Sequence, residues 1–125
     1  MKTAVAVQAD PLNTLNPESD TTLRLSREAQ KRGCSLFAYT PNHLTYNQGK
    51  LYATGTAFYF DKHNNVIQQG IETQDLSGFN FILIRQNPPF DKNYLTNTLL
   101  LDHLPSYVRV INNPKGLRIV SEKLS

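Results

Sequence analysis

The sequence predicts an α/β domain built on a mostly parallel sheet, and three observations carry that prediction. Short apolar runs recur along the chain, at Ala4-Val5-Ala6-Val7, Ser35-Leu36-Phe37-Ala38-Tyr39, Phe79 to Ile84 and Val108 to Ile111, and such runs read as buried strands. Between them lie amphipathic segments that carry helix start and stop residues. The first two runs and the helical segment between them make a unit of about 30 residues, the size of a βαβ unit whose crossover is right-handed.

The first strand is a continuous apolar run that stops at Asp10-Pro11. A polar, proline-containing loop from Leu12 to Glu18 follows. Asp20 or Thr21 then supplies the N-cap of a helix running to about Arg32, with Gly33 just past its end. Within it Thr22, Leu25, Ser26 and Ala29 fall at i, i+3, i+4 and i+7, a narrow stripe of small residues suited to lying close on a sheet, while Arg24, Arg27, Glu28 and Lys31 take the other side. The second strand spans Ser35 to Tyr39, and the pattern changes after Pro41. Thr45-Tyr46, the turn Asn47-Gln48-Gly49-Lys50 and Leu51-Tyr52 read as a hairpin with Gly49 at a position needing positive φ. Alternation continues through Tyr52, Thr54, Thr56, Phe58 and Phe60, and Asp61 to Asn65 offers a turn before Val66-Ile67. The middle third is thus expected to be an antiparallel excursion beside the main sheet. A strand from Phe79 to Ile84 ends at Arg85. Asn87-Pro88-Pro89-Phe90-Asp91 forms a rigid loop, and Asp91 can cap a helix from Lys92 to about Leu104 with Tyr94, Thr98 and Leu101 on one face. After the strand Val108 to Ile111, Asn113-Pro114 starts a last helix striped by Leu117, Val120 and Leu124.

The chain has 125 residues, of which 39% are hydrophobic. That length buries roughly two-thirds of the unfolded surface, and without a repeat or linker a single domain over residues 1–125 is expected. Thirteen Lys and Arg against ten Asp and Glu leave a charge of +3, too small a surplus to imply a polyanionic partner. The basic stripe of Arg24, Arg27 and Lys31 is broken by Glu28 and lacks interleaved aromatics, so a solvated face is expected and no nucleic-acid partner. Apolar stretches fall far short of the about 20 residues that cross a bilayer, and Met1-Lys2-Thr3 opens directly into a strand rather than a signal peptide, so no membrane partner is expected. The single Cys34 forbids an internal disulfide and a Cys-based zinc site, which suits a reducing, cytoplasmic compartment.

Ligands of parallel α/β sheets collect beyond the carboxyl ends of the strands, here at Asp10 to Asn16, Arg85 to Asp91 and Asn112-Asn113. Arg85 stands out because a guanidinium closing an apolar strand needs a carboxylate or phosphate partner. It can grip a ligand, or pair with Asp10 or Asp91 structurally. Asp10 can hold an amine or form an Asx-turn before Pro11. Asp20 with Thr21 and Thr22 can bind an anion at the helix N-terminus or cap the helix. His43, His63 and His103 lack metal-ligand spacing and read as surface or turn residues. Cys34 reads as a buried structural thiol. The six glycines build no phosphate-binding loop, and no paired acidic motif for Mg²⁺ is present.

Four pieces, in order, give the chain a resemblance over nearly its full length: Val7 to Pro11; Asp20-Thr21-Thr22 leading to Glu28-Ala29-Gln30-Lys31-Arg32-Gly33; Ile84-Arg85-Gln86-Asn87-Pro88-Pro89-Phe90-Asp91; and Val110-Ile111-Asn112-Asn113-Pro114 with Leu117-Arg118 and Glu122-Lys123-Leu124. The chain resembles the N-terminal domain of prokaryotic glutathione synthetase, an ATP-grasp carboxylate–amine ligase. The resemblance implies a Rossmann-like sheet with helices on both faces. It also implies ligation of γ-glutamylcysteine to glycine through an acyl phosphate, with ATP and Mg²⁺ held by ATP-grasp and central domains that begin about where this chain ends. The chain alone is therefore expected to be catalytically incomplete and to bind no cofactor by itself. Carried onto these positions, the resemblance makes Arg85 the leading contact for a substrate carboxylate. Asn87 and Pro88 shape its loop, Asp10, Asp20 and Thr21 are further candidates, and a homo-oligomer is implied. The alternative is a stand-alone α/β binding or oligomerisation module; its receiver-like version lacks the paired acidic residues expected near the first strand, where Asp10 stands alone.

Overall fold

Val5, Ala6 and Val7 have no solvent exposure because β1 (Ala4–Gln8) lies inside a six-stranded sheet. The computed structural model describes residues 2–85 and 99–111. Among these, β1 is followed by α1 (Thr21–Lys31), β2 (Ser35–Asn47), β3 (Lys50–Phe60), β4 (Val66–Asp75), β5 (Phe81–Ile84) and β6 (Arg109–Ile111). The strand order is β4-β3-β2-β1-β5-β6. β1 pairs in parallel with β2 and β5, and β5 in parallel with β6, whereas β2–β3 and β3–β4 are antiparallel. The architecture is the expected α/β one. The antiparallel excursion is continuous with the parallel sheet and extends it on the β2 side.

Alternate residues of each central strand serve two cores. Val5, Val7, Leu36, Ala38, Phe58 and Leu83 face α1 and pack on Leu23, Leu25 and Ala29. Ala6, Phe37, Tyr39, Ile82 and Ile84 face the opposite layer with Leu76, Phe79, Leu101 and Val108. Residues 99–101 are helical, so helical residues lie on both faces. The rest of the helix expected from Lys92 and the helix expected from Asn113-Pro114 lie outside the described residues.

Asp20 caps α1 as expected, its Oδ1 accepting the Leu23 N–H at 3.0 Å, and Gly33 follows the helix with φ of 89°, a backbone state that glycine adopts without steric cost. The buried stripe differs from the expected one. Leu23, Leu25, Ser26 and Ala29 are its buried members, and Leu23 rather than Thr22 leads it, packed in one cluster with Val5 and Val7 of β1. Gln30 adds a link that apolar periodicity does not signal. Its Nε2 donates to the Phe60 carbonyl at 2.8 Å and its Oε1 accepts the Phe60 N–H at 2.7 Å, pinning the end of β3 to the helix.

The hairpin turn has both central residues in the left-handed region, Gln48 at φ 52° and Gly49 at φ 81°, as a two-residue type I′ connection requires. β2 runs past its expected end at Tyr39. Its ladder with β1 stops at Gln8↔Tyr39, and its register with β3 shifts between Tyr39 and Leu44. Pro41 lies beyond the end of the β1 ladder, in the stretch of β2 where the β3 register shifts, which is where a residue without an N–H is tolerated in a strand.

Candidate functional site

Three chain segments meet beyond the carboxyl ends of β1 and β5. β1 delivers Gln8 and then Asp10; the loop after it returns as Asp20 at the start of α1; β5 delivers Arg85. The Arg85 backbone N–H donates to the Gln8 carbonyl at 2.9 Å, so the two strand ends are locked in register and the guanidinium projects beside the loop.

Arg85 Nε donates to Asp20 Oδ2, while the other Asp20 oxygen caps α1. Arg85 Nη1 lies 3.7 Å from Asp10 Oδ2. The two carboxylates differ in setting. The Asp20 side chain is 5% exposed and that of Asp10 is 58% exposed, so Asp20 is a fixed partner and Asp10 a solvated one. Nη1 is buried and donates no hydrogen bond to any partner among the described residues. Leaving such a donor unpaired is costly, and a ligand carboxylate or phosphate is the group that satisfies it with charge as well as geometry.

The sequence reading that paired Arg85 structurally with Asp10 is realised as that longer contact; the closer partner is Asp20, which the sequence offers as a cap, an anion-site residue and a further substrate-contact candidate but not as a partner of Arg85, and Asp91 lies outside the described residues. The structure brings Arg85, Asp10 and Asp20 together. Thr21 is the exposed first residue of α1, beside the cap. Asn87 and Pro88 lie outside the described residues.

Gln8 and Tyr39, which sequence reasoning missed, support the site from beneath. Tyr39 Oη donates to Gln8 Oε1 at 2.9 Å, with both residues buried, and burial drives the phenol pKa upward, so it remains a neutral donor. The available signal was the glutamine that closes the otherwise apolar run Ala4–Gln8, since a buried carboxamide must find a partner. On the α1 side, a cleft of about 430 Å³ opens between the Asp10–Asn13 segment and β2, β3 and β4, with Thr40, His43, Thr54, Thr56 and Gln68 among its walls. Asp10 stands on its rim and so borders both the Arg85 cluster and the cleft.

Cys34 is buried, and burial raises its thiol pKa, which leaves it a packing residue. His43, His63 and His103 are exposed. Among the described residues no group of three His, Cys, Asp or Glu side chains is placed to hold a metal ion, and no helix is long and apolar enough to cross a membrane.

The family model for the N-terminal domain of prokaryotic glutathione synthetase matches residues 3–118. The glutathione synthetase of Brucella melitensis is 40% identical over 99% of this chain and 40% of its own length. That of Mesorhizobium japonicum is 38% identical over the same shares, and that of Agrobacterium fabrum 38% identical over 96% of this chain and 38% of its own length. The chain thus spans about two-fifths of the length of these relatives. Its sequence pieces as far as Arg118, its parallel sheet and its strand-end cluster fall inside one matched region, and the chain belongs to the prokaryotic glutathione synthetase N-terminal domain family.

Proposed function

We propose that this chain is the peptide-binding side of a glutathione synthetase, the ATP-dependent ligase that joins γ-glutamylcysteine to glycine. The observation that carries the reading is Arg85, a buried-strand-end guanidinium whose Nη1 lacks a hydrogen bond among the described residues in a chain matched over residues 3–118 by that family. γ-Glutamylcysteine carries carboxylates and one ammonium. Arg85 Nη1 supplies a donor for a carboxylate, and the solvated Asp10, 3.7 Å away, supplies the opposite charge for the ammonium. Fixing the dipeptide by such charged contacts is the chain's contribution, because orientation of the reacting carboxylate lowers the barrier without further chemistry here.

Following the family resemblance, ATP and Mg²⁺ are assigned, with glycine, to the complete enzyme and its ATP-grasp domain, and the 125 residues to its substrate domain. A cytoplasmic, homo-oligomeric enzyme accords with the family resemblance.

The test is titration of the chain with γ-glutamylcysteine by calorimetry or by chemical-shift mapping. Arg85→Ala removes a charge-assisted hydrogen bond worth about 1.5–3 kcal/mol, so the dissociation constant should rise about 10- to 100-fold. Equal affinity in Arg85→Ala and wild type removes Arg85 from the site. Given ATP, Mg²⁺, γ-glutamylcysteine and glycine, the 125 residues should release no ADP; turnover would show that the chain holds the whole active site.

A further inference from the structure

We infer that Asp20 is a positioning residue for Arg85, acting through the guanidinium rather than on substrate. A single carboxylate serves two elements that are remote in sequence. Oδ1 accepts the Leu23 N–H at the start of α1, and Oδ2 accepts Arg85 Nε at the end of β5. With both oxygens committed and the side chain 5% exposed, Asp20 is poorly placed to take a ligand group itself. What it does is fix one edge of the guanidinium. Nε is taken, and Nη1 is left as a buried donor without a hydrogen-bond partner among the described residues.

An arginine side chain has many rotamers, and holding it in one before a ligand arrives lowers the entropic cost of binding. Asp20 also couples that rotamer to the helix. Any shift of the α1 N-terminus moves the carboxylate and with it the donor presented at Nη1. The ligand class is an anion, a carboxylate in the reading above, and the inference rests on that reading only for the identity of the anion.

The two roles of Asp20 separate by substitution. Asp20→Asn and Asp20→Ser both keep a side-chain oxygen for the Leu23 N–H, as both are good N-caps, but neither offers Arg85 a carboxylate. The experiment records the Arg85 Nε–H resonance of the ¹⁵N-labelled chain at neutral pH, assigned by its disappearance in Arg85→Lys, with γ-glutamylcysteine as the added probe. In wild type the resonance should stand apart from those of solvated arginines and exchange slowly. In both cap-preserving variants it should merge with them and exchange at least about tenfold faster, the helix signal should persist, and the dissociation constant for γ-glutamylcysteine should rise about tenfold. An unchanged Nε–H in either folded variant overturns the inference, as does a released Nε–H with unchanged affinity. If wild type binds no γ-glutamylcysteine, the proposed function fails, and the Nε–H comparison alone then decides whether Asp20 holds Arg85.

Discussion

Gly55 is the position where the sheet leaves no room for a side chain, and Gly55→Ala tests the packing beneath the site. Gly55 pairs with Tyr39 in the β2–β3 ladder, immediately before the register shift that bends β2. A Cβ placed on it would stand 2.0 Å from the Ala38 carbonyl oxygen and 2.9 Å from both the Ala38 carbonyl carbon and Tyr39 Cβ. A carbon rests about 3.3 Å from a carbonyl oxygen, so β3 must withdraw from β2 by about 1.3 Å there. That displacement carries neighbouring ladder hydrogen bonds from near 2.9 Å past the distance at which they hold. Overpacking of this kind costs about 1–3 kcal/mol and each lost ladder bond about 1 kcal/mol, against a gain of about 0.4–1 kcal/mol from the stiffer unfolded chain. The net loss is about 2–3 kcal/mol, or about 10 °C in Tm at this chain length. Thermal and urea unfolding followed by circular dichroism measure it. Gly70→Ala is the control, because a Cβ there meets nothing within 4 Å. A Gly55→Ala protein that melts within about 2 °C of wild type, or no lower than Gly70→Ala, refutes the reasoning.

Three further outcomes follow from the same contacts. Gln30→Ala removes both hydrogen bonds to Phe60 and should lower stability by about 1–2 kcal/mol, read by urea unfolding, with faster amide exchange at Phe60. Tyr39→Phe strips the donor from a buried Gln8, costing about 1–2 kcal/mol at neutral pH. Because burial raises the Tyr39 pKa, the folded state holds a proton that the unfolded chain releases, so wild-type stability is intact below about pH 10 and declines above it by up to about 1.4 kcal/mol per pH unit; Tyr39→Phe should flatten that limb. Asp75 runs the other way. The Ser77 hydroxyl and then the Ser77 N–H hold its pKa down, so its contribution is present at neutral pH and fades as pH falls below about 4, and Asp75→Asn should lose part of the acid-side slope.

The elements that could be read from sequence are those whose cause is local. Asp20 before α1 and Gly33 after it, the Gln48-Gly49 turn and the apolar runs of β1 and β5 each act within a few residues, and each is found in its place, β5 beginning at Phe81 rather than at the expected Phe79. What escaped reading depends on a neighbour that is distant in sequence. β2 continues through Pro41 only because the β1 ladder has ended at Gln8 and the β3 ladder has slipped, and neither condition is written near residue 41. Leu23 leads the buried stripe of α1 because it packs against Val5 and Val7 of β1, a contact with the sheet that periodicity alone does not fix.

The site divides in the same way. Arg85 is legible as a charge that closes an apolar strand, and Asp20 as a cap, each from its own surroundings. That they are one unit is a product of topology. β1 and β5 are adjacent parallel strands, so both present carboxyl ends to the same edge, and α1 begins at that edge because it must return along the face before β2. Residues 65 apart in sequence are thereby set against each other by the crossover itself. Any sequence that keeps this crossover and an acidic cap at the α1 start will place a carboxylate beside whatever closes β5, and in this chain the closing group is the Arg85 guanidinium, which that carboxylate holds by Nε.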